Sequence, residues 1–235
     1  MPDRKLFFLI PLFIISLLAG GAPPADASSP LTPEQQVEKI QDKYRALTSL
    51  SFDFSQVTRT GGRERRGAGN AVLYRPINKP GVMRWNYTNP DTQIILNDGS
   101  RLSIYTKTDN QLIVTSAEEL QSDITYAFFA GTRNLLDDFT ARPADTRFIF
   151  RAAGQKDIQA VQLVPRKPHP QVKALHLWFN QDFLIRKLIL EDHFDSVTEL
   201  SFTNIRLNTL PADSEKALTD LLRLDLPPNT EVISQ

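Results

Sequence analysis

Between Gly69 and Val114 the chain reads GNAVLYRPINKPGVMRWNYTNPDTQIILNDGSRLSIYTKTDNQLIV, with apolar side chains on alternate residues and turn chemistry at regular intervals. A period of two sends successive side chains to opposite faces of a pleated strand, so this stretch reads as antiparallel sheet. Strands are expected at Ala68–Tyr74, Val82–Tyr87, Thr92–Leu96, Arg101–Thr106 and Gln111–Val114. Asn97-Asp98-Gly99 and Thr108-Asp109-Asn110 are the turns between them, since Asn, Asp and Gly tolerate positive φ. No catalytic cluster lies on this sheet. A sheet of this kind encloses something, and the question is what.

Upstream, Thr32 as N-cap, Pro33 at the first helical position and apolar Val37, Ile40, Tyr44 and Leu47 predict a helix with one apolar face. From Ser51 the period changes to two, and Phe52, Phe54 and Val57 lead to a hairpin turn at Gly61-Gly62. Between Ser116 and Thr140 the alternation stops. Ile124, Ala127, Phe128, Leu135, Leu136 and Phe139 fit short helices, with Gly131 as a break. Strands resume at Arg147–Arg151, Ala160–Val164, Ala174–Phe179, Leu184–Glu191 and Val197–Ile205. A helical turn or two is expected around Ala217, Leu218 and Leu221. A last strand, Leu224–Ile233, contains Pro227-Pro228 and is therefore confined to an edge.

The sum is a mainly β, α+β chain. We expect a strongly curved antiparallel sheet, an incomplete β-barrel covered by the N-terminal helix and a middle helical lid. A β-sandwich with surface helices has the same periodicity.

Arg4 and Lys5, the apolar run Leu6–Ala19 and the small-x-small pattern Ala25-Asp26-Ala27 predict an export signal over residues 1–27, cleaved near Ala27. The run is shorter than the roughly 20 residues a spanning helix needs. Residues 28–235 then form a single domain, since all-β folds of about 200 residues are commonly undivided. The 27 basic and 27 acidic side chains balance, so nothing steers the chain to nucleic acid. With no cysteine, an exported chain must hold itself together by burial alone.

Signals for bond-making chemistry are lacking. His169, His176 and His193 have no paired metal-ligand spacing, and there is no G-x-S-x-G, phosphate loop or dinucleotide fingerprint. Asp98-Gly99-Ser100 reads as turn chemistry. The pairs Glu118-Glu119, Asp137-Asp138 and Glu191-Asp192 are adjacent residues, which do not form the opposed carboxylates of a glycosidase. No enzyme, metal or cofactor is expected. Arg59–Arg66, with four arginines about Gly61-Gly62, is a basic hairpin tip that is either solvated or placed against an acidic surface or lipid headgroups. Arg75 shares strand parity with Ala71 and Leu73 and precedes Pro76. It is either an edge residue or a guanidinium at the rim of an apolar cavity, needing carbonyls or a carboxylate for its five donors.

The order and spacing of Arg75-Pro76, Met83-Arg84-Trp85-Asn86-Tyr87, Pro90, Asn97-Asp98-Gly99, Leu102 and Tyr105 resemble the periplasmic outer-membrane lipoprotein carriers of the LolA family. Ser51–Gln56, Asn134–Phe139, Leu163-Val164-Pro165, Thr198–Ile205 and Leu226–Val232 extend the resemblance over nearly the whole chain after residue 27. It departs at Ile77–Gly81, which is longer than the family's turn, and at Leu224 and Leu226, where aromatics are common. The resemblance implies an unclosed barrel with a helical lid over an apolar cavity. It also implies a monomeric periplasmic carrier of acylated lipoproteins, loaded by an inner-membrane ATP-driven release complex and delivering to an outer-membrane acceptor or the membrane itself. Arg75 takes the place of the arginine that latches the lid. Candidates for the wall are Phe52, Phe54, Leu73, Met83, Trp85, Ile94, Leu96, Leu102 and Ile104, and for the lid Ile124, Ala127, Phe128, Leu135 and Leu136. A one-residue slip of register would exchange inside for outside. A sensing domain of the same fold, or a carrier of another lipid or glycolipid, would share these features.

Overall fold

A computed structural model describes residues 30–118, 129, 134–145, 147 and 157–234 of the chain. The predicted export signal, the strand residues after Arg147, the break at Gly131 and the lid candidates Ile124, Ala127 and Phe128 lie outside the described residues.

Helix α1 (Pro33–Arg45) begins as the sequence predicts. Thr32 accepts from the backbone N–H of Gln35, and the Gln35 side chain accepts in turn from the Thr32 N–H, closing a capping box. Its apolar stripe, Val37, Ile40 and Tyr44, is fully buried.

One sheet organises everything else. Strands β1 (Ser49–Thr60) and β2 (Arg63–Tyr74) form a long hairpin, followed by β3 (Val82–Asn89), β4 (Gln93–Asn97), β5 (Arg101–Thr106) and β6 (Gln111–Ser116). After the four-residue helix α2 (Leu135–Asp138) come β7 (Phe139–Pro143), β8 (Gln159–Pro165), β9 (Ala174–Phe179), β10 (Ile185–Glu191) and β11 (Val197–Leu207). Helix α3 (Glu215–Leu222) and β12 (Glu231–Ser234) complete the chain. The order across the sheet is β12-β6-β5-β4-β3-β2-β1-β11-β10-β9-β8-β7, so it opens at β12 and β7 and is not closed. This is the unclosed curved sheet expected, not a two-sheet sandwich.

Three expectations are corrected. Phe139 begins a strand, because once α2 ends the alternation Phe139-Ala141 resumes and both residues are buried. The last strand is only Glu231–Ser234, since Pro227-Pro228 cannot supply ladder N–H groups and pairing starts beyond them. That strand runs parallel to β6, the one parallel pair among the described strands of an otherwise antiparallel sheet.

Local chemistry fixes the register. Gly61 and Gly62 have φ of +55° and +76°, the two-residue hairpin geometry whose twist matches its strands. At the β2–β3 bulge, a Cβ on Gly69 would lie 1.9 Å from the Asn86 carbonyl oxygen. Only glycine allows that approach. The long Ile77–Gly81 loop leaves the Met83 register regular, with Met83 opposite Leu73. It instead reaches the C-terminal segment, through the Ile77 N–H to the Ala212 carbonyl at 2.8 Å and through Lys79 to Glu215.

Gly69→Ala is expected to destabilise the protein by about 2 kcal/mol or more, because backbone must move to admit the methyl group. Chemical denaturation checks this. An unchanged midpoint would show that the bulge is not rigid.

Candidate functional site

The inner face follows from the pairing register. Leu50, Phe52 and Phe54 of β1 sit opposite Leu73, Ala71 and Gly69 of β2, which face Met83, Trp85 and Tyr87 of β3. From Trp85 the row continues through Ile95 of β4, Ile104 of β5, Ile113 of β6 and Ile233 of β12. A ribbon of apolar side chains thus crosses seven strands at right angles to them, its isoleucine end half-buried. Leu102 lies on the same face, opposite Asn97.

Seven of the predicted wall residues therefore share one face: Phe52, Phe54, Leu73, Met83, Trp85, Leu102 and Ile104. Ile94 and Leu96 do not. They pair with Asn86 and Arg84, which puts them on the outer face. Sequence parity failed here because β4 carries three apolar residues in a row, Ile94-Ile95-Leu96, and such a run does not say which face is which. Ile95 and Ile113 were missed for the same reason, each standing in a run of three apolar residues; Ile233 was missed because the parallel pairing of the last strand with β6 has no signal in the sequence.

Phe129 was also missed, and it occupies the centre of the concavity. Its ring lies 5.4 Å from Phe52, 5.5 Å from Phe202, 5.8 Å from Tyr44 and 6.1 Å from Trp85, centroid to centroid. Phe52 and Phe54 meet Trp85 edge-on at 5.4 and 4.8 Å, a geometry that adds to what area alone provides. Leu135 is buried in the same core and Leu136 packs against it, so both described lid candidates adjoin the inner face.

Arg75 ties this roof down. Its Nη1 donates to the carbonyls of Tyr44 at 2.8 Å and Leu47 at 2.6 Å, and its Nη2 donates to the Phe129 carbonyl at 2.9 Å. The first two acceptors lie at and just beyond the C-terminal end of α1, where carbonyls lack helical partners and the dipole favours a cation. The backbone N–H of Arg75 adds a bond to the Thr48 carbonyl at 2.8 Å. Burial holds the pKa of the guanidinium below the ordinary arginine value. Tyr44 fixes the same helix end to the sheet, its hydroxyl accepting from the Ile185 N–H at 3.0 Å, and burial pushes its phenol pKa up.

The other two described helices are held the same way. Arg166 Nε donates to Leu136 and Phe139 carbonyls at the end of α2, at 3.0 and 3.1 Å. On the outer face, Arg84 Nη1 donates to Leu221 and Arg223 carbonyls at the end of α3, at 2.9 and 2.7 Å. Beside α3 lies a pocket of about 400 Å3 lined by Leu50, Val72, Leu210, Pro211, Ala217 and Leu221 among others.

At the far end of β1 and β2 from Arg75, a cleft of about 670 Å3 opens between Gln56, Thr58, Arg65, Gly67, Tyr87 and Pro90. Tyr87 spans it, donating to Gln56 Oε1 at 2.9 Å with its ring over Gly67. Among the described residues no group of histidines and carboxylates could hold a metal, and no helix is long and apolar enough to cross a membrane.

Geometrically, this is a roofed half-barrel whose inner surface is apolar and aromatic. The family model for the outer membrane lipoprotein carrier protein LolA matches residues 45–215, and the chain belongs to that family. A protein of Chromobacterium violaceum named outer-membrane lipoprotein carrier protein is 25% identical over 201 residues, 85% of this chain and 88% of its own length. One of the same name from Nitrosomonas europaea is 27% identical over 150 residues, 63% and 67% of the two chains. The crystal structure of an uncharacterized conserved protein from Thermus thermophilus shares the fold, with a TM-score of 0.52 at 12% identity over 86% of this chain and 98% of that one.

Replacing Arg75 by Leu removes three charge-assisted bonds. The expected cost is about 2 kcal/mol, a fall of roughly 4–8 °C in Tm for a chain this size. Calorimetry together with amide exchange at the end of α1 checks it; unchanged Tm and unchanged protection would show that these bonds do not hold the end of α1 in place.

Proposed function

We propose that this protein carries acylated lipoproteins through the periplasm, from the inner to the outer membrane, by sheltering their acyl chains on the inner face of the sheet. Residues 28–235 are the carrier domain and residues 1–27 direct its export. The observation that carries the reading is the transverse apolar row, Trp85-Ile95-Ile104-Ile113-Ile233, continuous at Trp85 with the aromatic cluster around Phe129, whose backbone Arg75 holds.

Each methylene withdrawn from water contributes about 0.8 kcal/mol, so an acylated cargo needs shelter to cross an aqueous compartment. A carrier must also let go. In the closed arrangement Phe129 fills the concavity and Arg75 holds its backbone. An entering acyl chain displaces the ring and opens the latch, and the free energy of re-forming both is subtracted from cargo affinity. The closed state thus competes with cargo, which keeps binding reversible. Loading falls to an inner-membrane ATP-driven release complex, and unloading to an outer-membrane acceptor or the membrane. The protein acts as a monomer, makes or breaks no bond and uses no cofactor.

Mass spectrometry of the protein purified from the periplasm is expected to find acylated polypeptides travelling with it; free glycolipid or phospholipid alone would point to a different cargo. Ile104→Glu, which puts a charge in the row, should weaken binding of a fluorescent acyl probe at least about thirtyfold. Ile94→Glu, on the opposite face, should leave probe binding unchanged, and equal losses in the two would refute the face assignment. Arg75→Leu is expected to load cargo but transfer it roughly tenfold more slowly, since the closed state no longer competes as well.

A further inference from the structure

The end of the sheet remote from Arg75 carries two features the carrier reading leaves unused. The first is the β1–β2 hairpin tip with its four arginines. Strand parity divides them. Arg59 pairs with Glu64 at 2.9 Å and approaches Glu199 at 3.9 Å, and Arg66 also pairs with Glu64. Arg63 and Arg65 stand opposite Thr60 and Thr58, in the same parity as Gly67, Gly69, Ala71 and Leu73, and so continue the inner face outward. Both are exposed, and neither has an ion pair among the described residues. Arg65 lines the cleft.

The second feature is Phe194, which is 84% exposed. It lies in the turn joining β10 to β11. The turn is shaped by Asp192, whose Oδ1 accepts from the N–H groups of Phe194 and Ser196, both at 2.8 Å, and by Asp195 at φ +57°. Asp195 is itself paired with Lys173 at 3.3 Å. The ring is therefore presented outward on a braced loop whose carboxylates are already engaged. β11 lies beside β1, with Arg59 opposite Val197 and the Thr60 and Ser196 hydroxyls 2.7 Å apart. The Phe194 turn and the arginine tip are thus neighbours at the end of the sheet where Arg65 lines the cleft.

An exposed aromatic beside unneutralised guanidinium groups is the pairing that the headgroup region of a bilayer accepts, the ring entering at the acyl boundary and the cations meeting phosphates. We propose that the β1–β2 and β10–β11 tips form a docking surface for an anionic phospholipid bilayer. Phe194 enters the interface, and Arg63 and Arg65 face the lipid phosphates. Docked this way, the cleft opens toward the bilayer and an acyl chain passes between lipid and inner face without crossing water. The purpose assigned to docking rests on the carrier reading, but its test does not.

The test is cosedimentation of purified, cargo-free protein with vesicles of phosphatidylglycerol and phosphatidylethanolamine, compared with vesicles of phosphatidylcholine. Binding to the anionic vesicles is expected to fall steeply with salt. The double change Arg63→Gln, Arg65→Gln should lower the partition coefficient about thirtyfold, and Phe194→Ser about tenfold. Lys216→Gln, on α3, should have no effect. Because all three target side chains are exposed, Tm should hold, and acyl-probe uptake in the absence of vesicles should be retained. Loss of probe uptake in the unaltered protein would count against carriage and leave docking standing. Equal binding to both vesicle types, vesicle binding indifferent to the three changes, or binding to polyglutamate but to neither vesicle, would overturn docking; the last outcome would assign the surface to an acidic protein.

Discussion

A single guanidinium on the sheet joins the Tyr44–Leu47 segment to Phe129, which lies far from it in sequence. Arg75 extends from the end of β2, and the carbonyls it binds belong to the end of α1, the link to β1, and Phe129. Tyr44 and Leu47 stand at and just beyond the end of α1, where the helical ladder runs out and buried carbonyls call for further donors. Satisfying them with a cation anchored in the sheet solves the problem and at the same time defines where the roof sits. The aromatic cluster depends on that placement. Phe129 can touch Phe52, Phe202, Tyr44 and Trp85 together only while its backbone is held over the centre of the curve.

The same device appears on the outside. Arg84 leaves the opposite face of β3 and binds the end of α3, as Arg166 binds the end of α2. With the C-terminal segment on the outer surface, Leu96, Tyr105 and Leu112 are buried there while Leu102 and Trp85 are buried inside. A sheet covered on both sides needs no second sheet, which is how a chain without disulfides achieves burial and still keeps an open curve.

Much of this could be read from the residues. The capping box, the glycine hairpin, the turns at Gly99 and Asn110 and most strands follow from patterns whose causes are local. Arg75 was legible as either an edge residue or a rim guanidinium in need of carbonyls or a carboxylate; that carbonyls serve it, and that one belongs to Phe129, required the fold. The wall was legible where alternation was clean, from Met83 to Tyr87, and illegible at Ile94-Ile95-Leu96, where coverage of both faces erased the period. Phe139 was misplaced because a four-residue helix passes into a strand with no turn residue between them. The basic tip gave away its charge but not its neighbour, since the turn that carries Phe194 comes beside Arg59 only through pairing of β1 with β11, more than a hundred residues away.

The acceptors of Arg75 are all main-chain oxygens. That contact reads the path of the backbone and not the side chains at Tyr44, Leu47 or Phe129, so the attachment asks only that these three carbonyls keep their places. Members of the family could therefore vary the side chains outside the buried core of this region and keep the same attachment between helix and sheet.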